Sequence, residues 1–223
     1  MYGSFTGGMA AVVFLCFFQL CGLCLSAVIF PREGPGTRTL LGSVLGSVSL
    51  QWLPALMGFV SGFTRTGHMA AAVIITLAVC GTLIWAKRSG RAVSIGIKDL
   101  PGAFLRHKFL FFVLALWIVY CVLVPHSFYW QDNIIYSSQA TYGDMSMHLS
   151  FITSLARQGT FPPSYSLLPG TRLSYPFLSD SISSSLSLLG APLRLAYCLP
   201  MLLSGAQVFF GGWLFLRALS GSD

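Results

Sequence analysis

Long apolar runs separated by short polar punctuation dominate the chain. Five of them approach the ~20 residues that a helix needs to cross the hydrocarbon core of a bilayer. They are Met9–Phe30, closed by Pro31, then Leu40–Phe63, His68–Trp85, Phe109–Pro125 and Leu193–Leu216. A sixth apolar stretch, Ser181–Leu189, is too short to span and reads as a re-entrant or interfacial helix. The pattern divides the chain into four N-terminal transmembrane helices (1–125), an extracytoplasmic loop (126–180), and the short helix followed by a fifth transmembrane helix (181–223). The expected fold class is all-α: a polytopic membrane protein whose external loop carries an interfacial amphipathic helix.

That helix is read over 145–158. Met145, His148, Leu149, Ile152, Leu155 and Ala156 recur at steps of three and four, while Ser146, Ser150, Thr153, Ser154 and Arg157 take the other side. This is the stripe of a helix lying in the interface plane. Asp144 is placed to cap its start and Gly159 to close it. Before it, Phe128, Tyr129 and Trp130 read as interfacial aromatic anchors, and residues 134–144 as extended or turning chain. After it, four prolines between Phe161 and Phe177 forbid a regular helix. Asp180 then stands where a cap for the serine-rich helix would stand; six of the nine residues in Ser179–Ser187 are serine.

Composition agrees with the pattern. Hydrophobic residues make up 55% of the 223 residues, charged residues 9%, and the mean hydropathy is +0.75. A soluble domain carries about a quarter charged residues, so too few charges are present to cover a water-exposed surface. The formal net charge of +7 does not point to nucleic acid, because the cations cluster between apolar runs. Lys87, Arg88, Arg91, Lys98, Arg106 and Lys108 face only Asp99 in the loop after the third run. The positive-inside rule makes that loop cytoplasmic. By alternation Arg32, Arg38 and Arg217 are also inside, and Arg65, Arg157, Arg172 and Arg194 outside. The first run has no basic segment before it and is read as a retained helix rather than a cleaved signal.

Several features read as structure. Gly42 and Gly46, and Gly58 and Gly62, are four apart in the second run and let helices approach closely. Pro54 should kink that helix. All six cysteines lie in apolar runs. Cys21 and Cys24 form a C-x-x-C, but no second pair or nearby histidine completes a zinc site. The chain contains no P-loop, H-E-x-x-H or G-x-S-x-G.

The chemistry-bearing residues gather in the loop. Each has an ordinary reading: Asp144 and Asp180 as caps, His148 as an interfacial histidine, Arg157 as dipole compensation. Asp144 and His148 are four apart, so their side chains can meet on one face. Together, YGDMSMHLSFITSLARQGTFPP and LPGTRLSYPFLSD resemble the first large external loop of GT-C-type membrane glycosyltransferases. The likeness rests on Asp144, His148 and Tyr175-Pro176 and covers roughly residues 140–182. Members of that superfamily carry many more spans, so the resemblance implies an N-terminal part or a short relative, its site completed by further membrane helices or a subunit.

The resemblance implies transfer of a sugar from a polyprenyl-phosphate donor to an acceptor on the extracytoplasmic face of a bacterial cytoplasmic membrane. Inverting transfer needs one base for the acceptor hydroxyl while the phosphate leaves from the opposite side. Asp144 is the candidate base or acceptor-orienting acid. His148, Arg157, Arg172 and Tyr175 are the candidate substrate-binding residues, the arginines for phosphate. A divalent metal would draw on His148 and Asp180. Lipid-linked donor and membrane lipid are the expected partners, and nucleic acid is not. The alternatives are a transporter or channel, which the lack of mid-span charges disfavours, and a structural or assembly subunit.

Overall fold

The computed structural model describes residues 5–91, 108–131, 134–138 and 142–221. Lys98, Asp99 and Arg106 of the basic loop lie outside the described residues, as does the side chain of Trp130. The order is α1 (Phe5–Ile29), α2 (Pro35–Ser61), α3 (Arg65–Arg88), α4 (Lys108–His126), β1 (Phe128–Gln131), β2 (Ile134–Ser137), α5 (Tyr142–Gln158), α6 (Leu178–Leu188) and α7 (Leu193–Ser220). Five of these helices, α1 to α4 and α7, are long and apolar enough to cross a membrane.

The chain is mostly helical but not all-α. Phe128–Gln131 and Ile134–Ser137 pair antiparallel, Phe128 opposite Ser137 and Gln131 opposite Ile134. Aromatic and β-branched side chains on both sides of a two-residue connection favour a hairpin over a helix. Tyr129 stacks on Tyr136 with centroids 4.9 Å apart. Phe128 points inward and is buried.

Helix starts lie ahead of the apolar runs because polar first turns are helical too. Pro35 begins α2 at the first-turn position where its missing N–H costs nothing. Thr64 caps α3 by accepting from the Gly67 amide at 3.2 Å. Pro54 lies within the continuous span of α2, and Gly62 ends that helix at φ +71.

Close packing at α1–α2 forms the centre of the bundle. A Cβ on Gly22 would collide with Gly42 O, one on Gly42 would lie 2.8 Å from Leu23 Cα, and one on Gly46 2.7 Å from Phe18 O. The first small-residue pair is therefore a helix–helix seam, as its spacing predicts. The second pair serves another contact. A Cβ on Gly58 would lie 2.7 Å from the Phe161 ring, so that end of α2 packs on the segment after α5.

A polar cluster crosses the seam. Ser43 Oγ lies 2.9 Å and Ser47 Oγ 3.2 Å from the Gln19 amide, and Gln207 Nε2 of α7 donates to both hydroxyls at 2.9 and 2.8 Å. Away from water such bonds hold helices together because the alternative is an unpaired polar group in hydrocarbon. α7 also carries α4. Tyr120 lies where a Cβ on Gly205 would sit and donates to Met201 O, and Trp117 Nε1 donates to Leu202 O.

α6 lies inside the molecule, with Asp180 through Leu186 all buried, packed on α2, α5 and α7 and reaching α1. Its serines suit this place because they bond their own helix: Ser181 donates to Leu178 O, Ser184 to Asp180 O and Ser185 to Ser181 O. Two arginines tie the same end of the bundle together. Arg65 Nε donates to Leu188 O at 3.1 Å, and Arg194 Nη2 to Pro125 O at 2.9 Å.

Candidate functional site

α5 presents its apolar stripe to the protein. Met145, Leu149 and Ile152 are buried against Val124, Phe128 and Cys198, and Leu155 is buried as well. Once that face is fixed, His148 turns toward α6. Its Nδ1 donates to Asp180 Oδ2 at 2.9 Å, the only ion pair among the described residues, with the histidine side chain 30% and the aspartate side chain 12% exposed. Neither carboxylate caps its helix. α5 begins at Tyr142 and α6 at Leu178, so Asp144 and Asp180 both fall in first turns, where a negative charge meets the positive end of the helix dipole.

The sequence spacing suggests an Asp144–His148 contact; the structure gives His148 the distant Asp180 instead. Asp144 is exposed, one turn before His148 on the same side of α5, and makes no hydrogen bond or ion pair among the described residues. Burial pushes the Asp180 carboxyl above the usual aspartate range, and the His148 bond pulls against that shift. With Nδ1 committed to the carboxylate, Nε2 is the nitrogen left to take a proton.

An aromatic wall flanks the pair. The Tyr175 ring stands 6.0 Å from the His148 ring and 5.4 Å from Phe151, which lies 5.8 Å from Tyr165. Residues 159–177 are held against α5 by polar contacts. Gln158 grips Ser164 at two points, Nε2 donating to Ser164 O at 3.0 Å and Oε1 accepting from Ser164 N at 2.8 Å. Ser150 and Ser166 hydroxyls meet at 2.6 Å. The Tyr175-Pro176 stretch is thereby placed beside His148.

The arginines are not gathered there. Arg157 is nine residues beyond His148 on α5, about 13 Å along the axis and on the opposite side of the helix. Arg172 forms a bridge with Ser164 at the base of a turn and is exposed. Among the described residues no three His, Cys, Asp or Glu side chains converge as metal ligands, and all six cysteines are free thiols. His148 and Asp180 bond each other directly through Nδ1 and Oδ2, which leaves the histidine Nε2 open to another ligand.

Sequence reasoning did not anticipate a second buried contact. His68 is fully buried; its Nδ1 donates to Thr64 O at 2.7 Å and its Nε2 lies 2.8 Å from Ser185 Oγ. The Phe63 ring stands edge-on to it at 4.7 Å. This contact anchors α6, and through it Asp180, to the start of α3. The only sequence signal was a histidine and a serine in apolar surroundings, 117 residues apart.

No family model matches the chain, and no curated protein or solved structure is significantly similar to it.

Proposed function

We propose that this chain is a GT-C-like membrane glycosyltransferase, or the N-terminal part of one, that transfers a sugar from a polyprenyl-phosphate donor to an acceptor hydroxyl outside the membrane. The observation that supports this reading best is the His148–Asp180 bond of 2.9 Å, one helical turn from Asp144 and flanked by Tyr175. In this reading His148 Nε2 takes the acceptor proton. Asp180 holds the ring and stabilises the imidazolium that forms, and Asp144 orients the hydroxyl. The acceptor oxygen bonds to the anomeric carbon as the bond from that carbon to the phosphate oxygen breaks. Polyprenyl phosphate then leaves with the electron pair. Arg172, on the same irregular segment as Tyr175, is the cation we assign to the leaving phosphate.

The scattered placement of Arg157 and Arg172 favours a second reading, a structural or assembly subunit whose loop binds a partner. One experiment separates the two. Membranes containing the full-length protein are supplied with a polyprenyl-phosphate sugar, and transfer is compared for the natural protein, Asp144→Asn and His148→Gln at matched expression. The transferase reading expects about a 10²–10⁴-fold loss for His148→Gln and a large loss for Asp144→Asn. Unchanged transfer in both variants overturns the site. Absence of transfer by the natural full-length protein across donors supports the second reading.

A further inference from the structure

The end of the bundle opposite α5 and α6 carries a different arrangement. α1 and α3 end there, α2 begins there, and a Cβ added to Gly211 of α7 would lie 3.4 Å from the Leu40 side chain. The turn between α1 and α2 opens into a cavity of about 630 Å³ lined by Ile29, Phe30, Pro31, Arg32, Glu33 and Arg91. Its wall is half apolar and half charged. Arg32, Arg91 and Glu33 all line it, and among the described residues Glu33 makes no ion pair with either arginine.

Arg91 is held in place. Its amide donates to Ala86 O at 3.0 Å, which folds the chain back over the end of α3, and its guanidinium lies 4.6 Å from the Trp85 ring. Such a contact orients the cation without neutralising it. Arg217, at the end of α7, stands 5.8 Å from Trp213 in the same relation. Paired Arg and Trp residues at helix ends mark the depth of a membrane–water boundary.

We propose that this cavity binds the phosphate of an anionic lipid headgroup. Arg32 and Arg91 hold the phosphate oxygens, Ile29, Phe30 and Pro31 cover the adjoining glycerol and first acyl carbons, and Glu33 accepts from a headgroup hydroxyl. Guanidinium forks match phosphate oxygens two at a time, and the volume suits a small polar ligand. A soluble phosphate ester offers the same oxygens without the apolar part. The site is independent of the chemistry assigned to His148 and survives or fails separately from it.

The test is native mass spectrometry of the whole chain released from mixed micelles holding equal amounts of phosphatidylglycerol and phosphatidylcholine. The expected result is selective retention of phosphatidylglycerol. Retention should fall about tenfold or more in Arg32→Gln/Arg91→Gln, since each charge-assisted bond lost is a sizeable fraction of such an affinity. Retention should hold in Lys87→Gln/Arg88→Gln, which removes the same charge from the same end outside the cavity. Arg32→Lys/Arg91→Lys keeps the charge but loses the fork, and should retain an intermediate amount; it serves as the readout if the glutamine pair does not fold. Glycerol 3-phosphate at millimolar concentration distinguishes the sources: displacement assigns the site to a soluble phosphate, and no displacement to the lipid. Equal retention of both lipids, or equal losses in the Arg32/Arg91 and Lys87/Arg88 variants, overturns the proposal.

Discussion

Gly46→Ala adds one methyl group to the α1–α2 seam. The new Cβ would lie 2.7 Å from Phe18 O, 2.8 Å from Gln19 Cα and 3.1 Å from Gln19 Nε2. Carbon pairs are at their best near 3.5–4.0 Å, so the helices must part by about 0.5–1 Å. Two of the three obstacles are backbone atoms, which no rotamer change can move. Overpacking of this kind costs about 1–3 kcal/mol. Alanine recovers part of that, about 0.5–1 kcal/mol, through its better helix propensity, which leaves a net loss on the order of 1–2 kcal/mol. Gly81→Ala is the matched control, because an added Cβ there meets nothing within 4 Å; it keeps the propensity gain alone. Both variants are compared by thermal unfolding in mild detergent with a thiol-reactive dye. The buried thiols Cys21 and Cys198 report the transition, and Cys21 is next to the seam glycine Gly22. Gly46→Ala should unfold at a lower temperature than the natural protein, and Gly81→Ala at the same or a higher one. If the two variants unfold together, the close α1–α2 contact is wrong.

Two further predictions concern α6. Burial raises the Asp180 carboxyl in the folded protein, so the folded state holds that proton in a pH range where the unfolded chain has lost it. The contribution of this group to stability therefore declines as pH rises from the ordinary aspartate value, about 3.9, through the raised folded value. Asp180→Asn should flatten that part of the Tm–pH curve, and an unchanged slope would discount the burial argument. Ser185→Ala leaves His68 Nε2 without its partner and should cost about 1–3 kcal/mol, whereas Ser183→Ala, whose hydroxyl makes no hydrogen bond among the described residues, should stay within ~0.5 kcal/mol. Equal Tm losses in the two serine variants would mean that the His68 contact does not hold α6.

The five long helices were legible because each carries an apolar run of the length that crossing hydrocarbon would require. Their ends were less so. A polar first turn such as Arg65–Gly67 joins α3 because Thr64 caps it, and an apolar run carries no trace of that. The amphipathic stripe of α5 was also readable, since Met145, Leu149, Ile152 and Leu155 recur at helical spacing and are all buried. The hairpin had its signal too: two aromatic and β-branched runs around Asp132-Asn133, a pattern that an all-α reading passes over. Local spacing gave His148 the wrong partner. Its bond to Asp180 spans 32 residues of proline-broken chain, where no periodicity fixes what meets what. The cluster of Gln19, Ser43, Ser47 and Gln207 shows the same limit, because polar residues in separate apolar runs announce a partner without naming it.

That cluster also constrains the order of assembly. Gln207 is 160 residues after Ser47. A chain made from its N-terminus completes α1 and α2 well before α7 exists. Until then the two serines have Gln19 and the carbonyls of their own helix as partners, and α7, among the less apolar of the long helices, brings the remaining amide. Docking of Gln207 against Ser43 and Ser47 would favour α7 entering beside α2 rather than alone in lipid. The amide thus acts as a late latch: until it closes, α4 lacks the helix it packs against, whereas His148 already rests on α6, which Ser185 ties to α3.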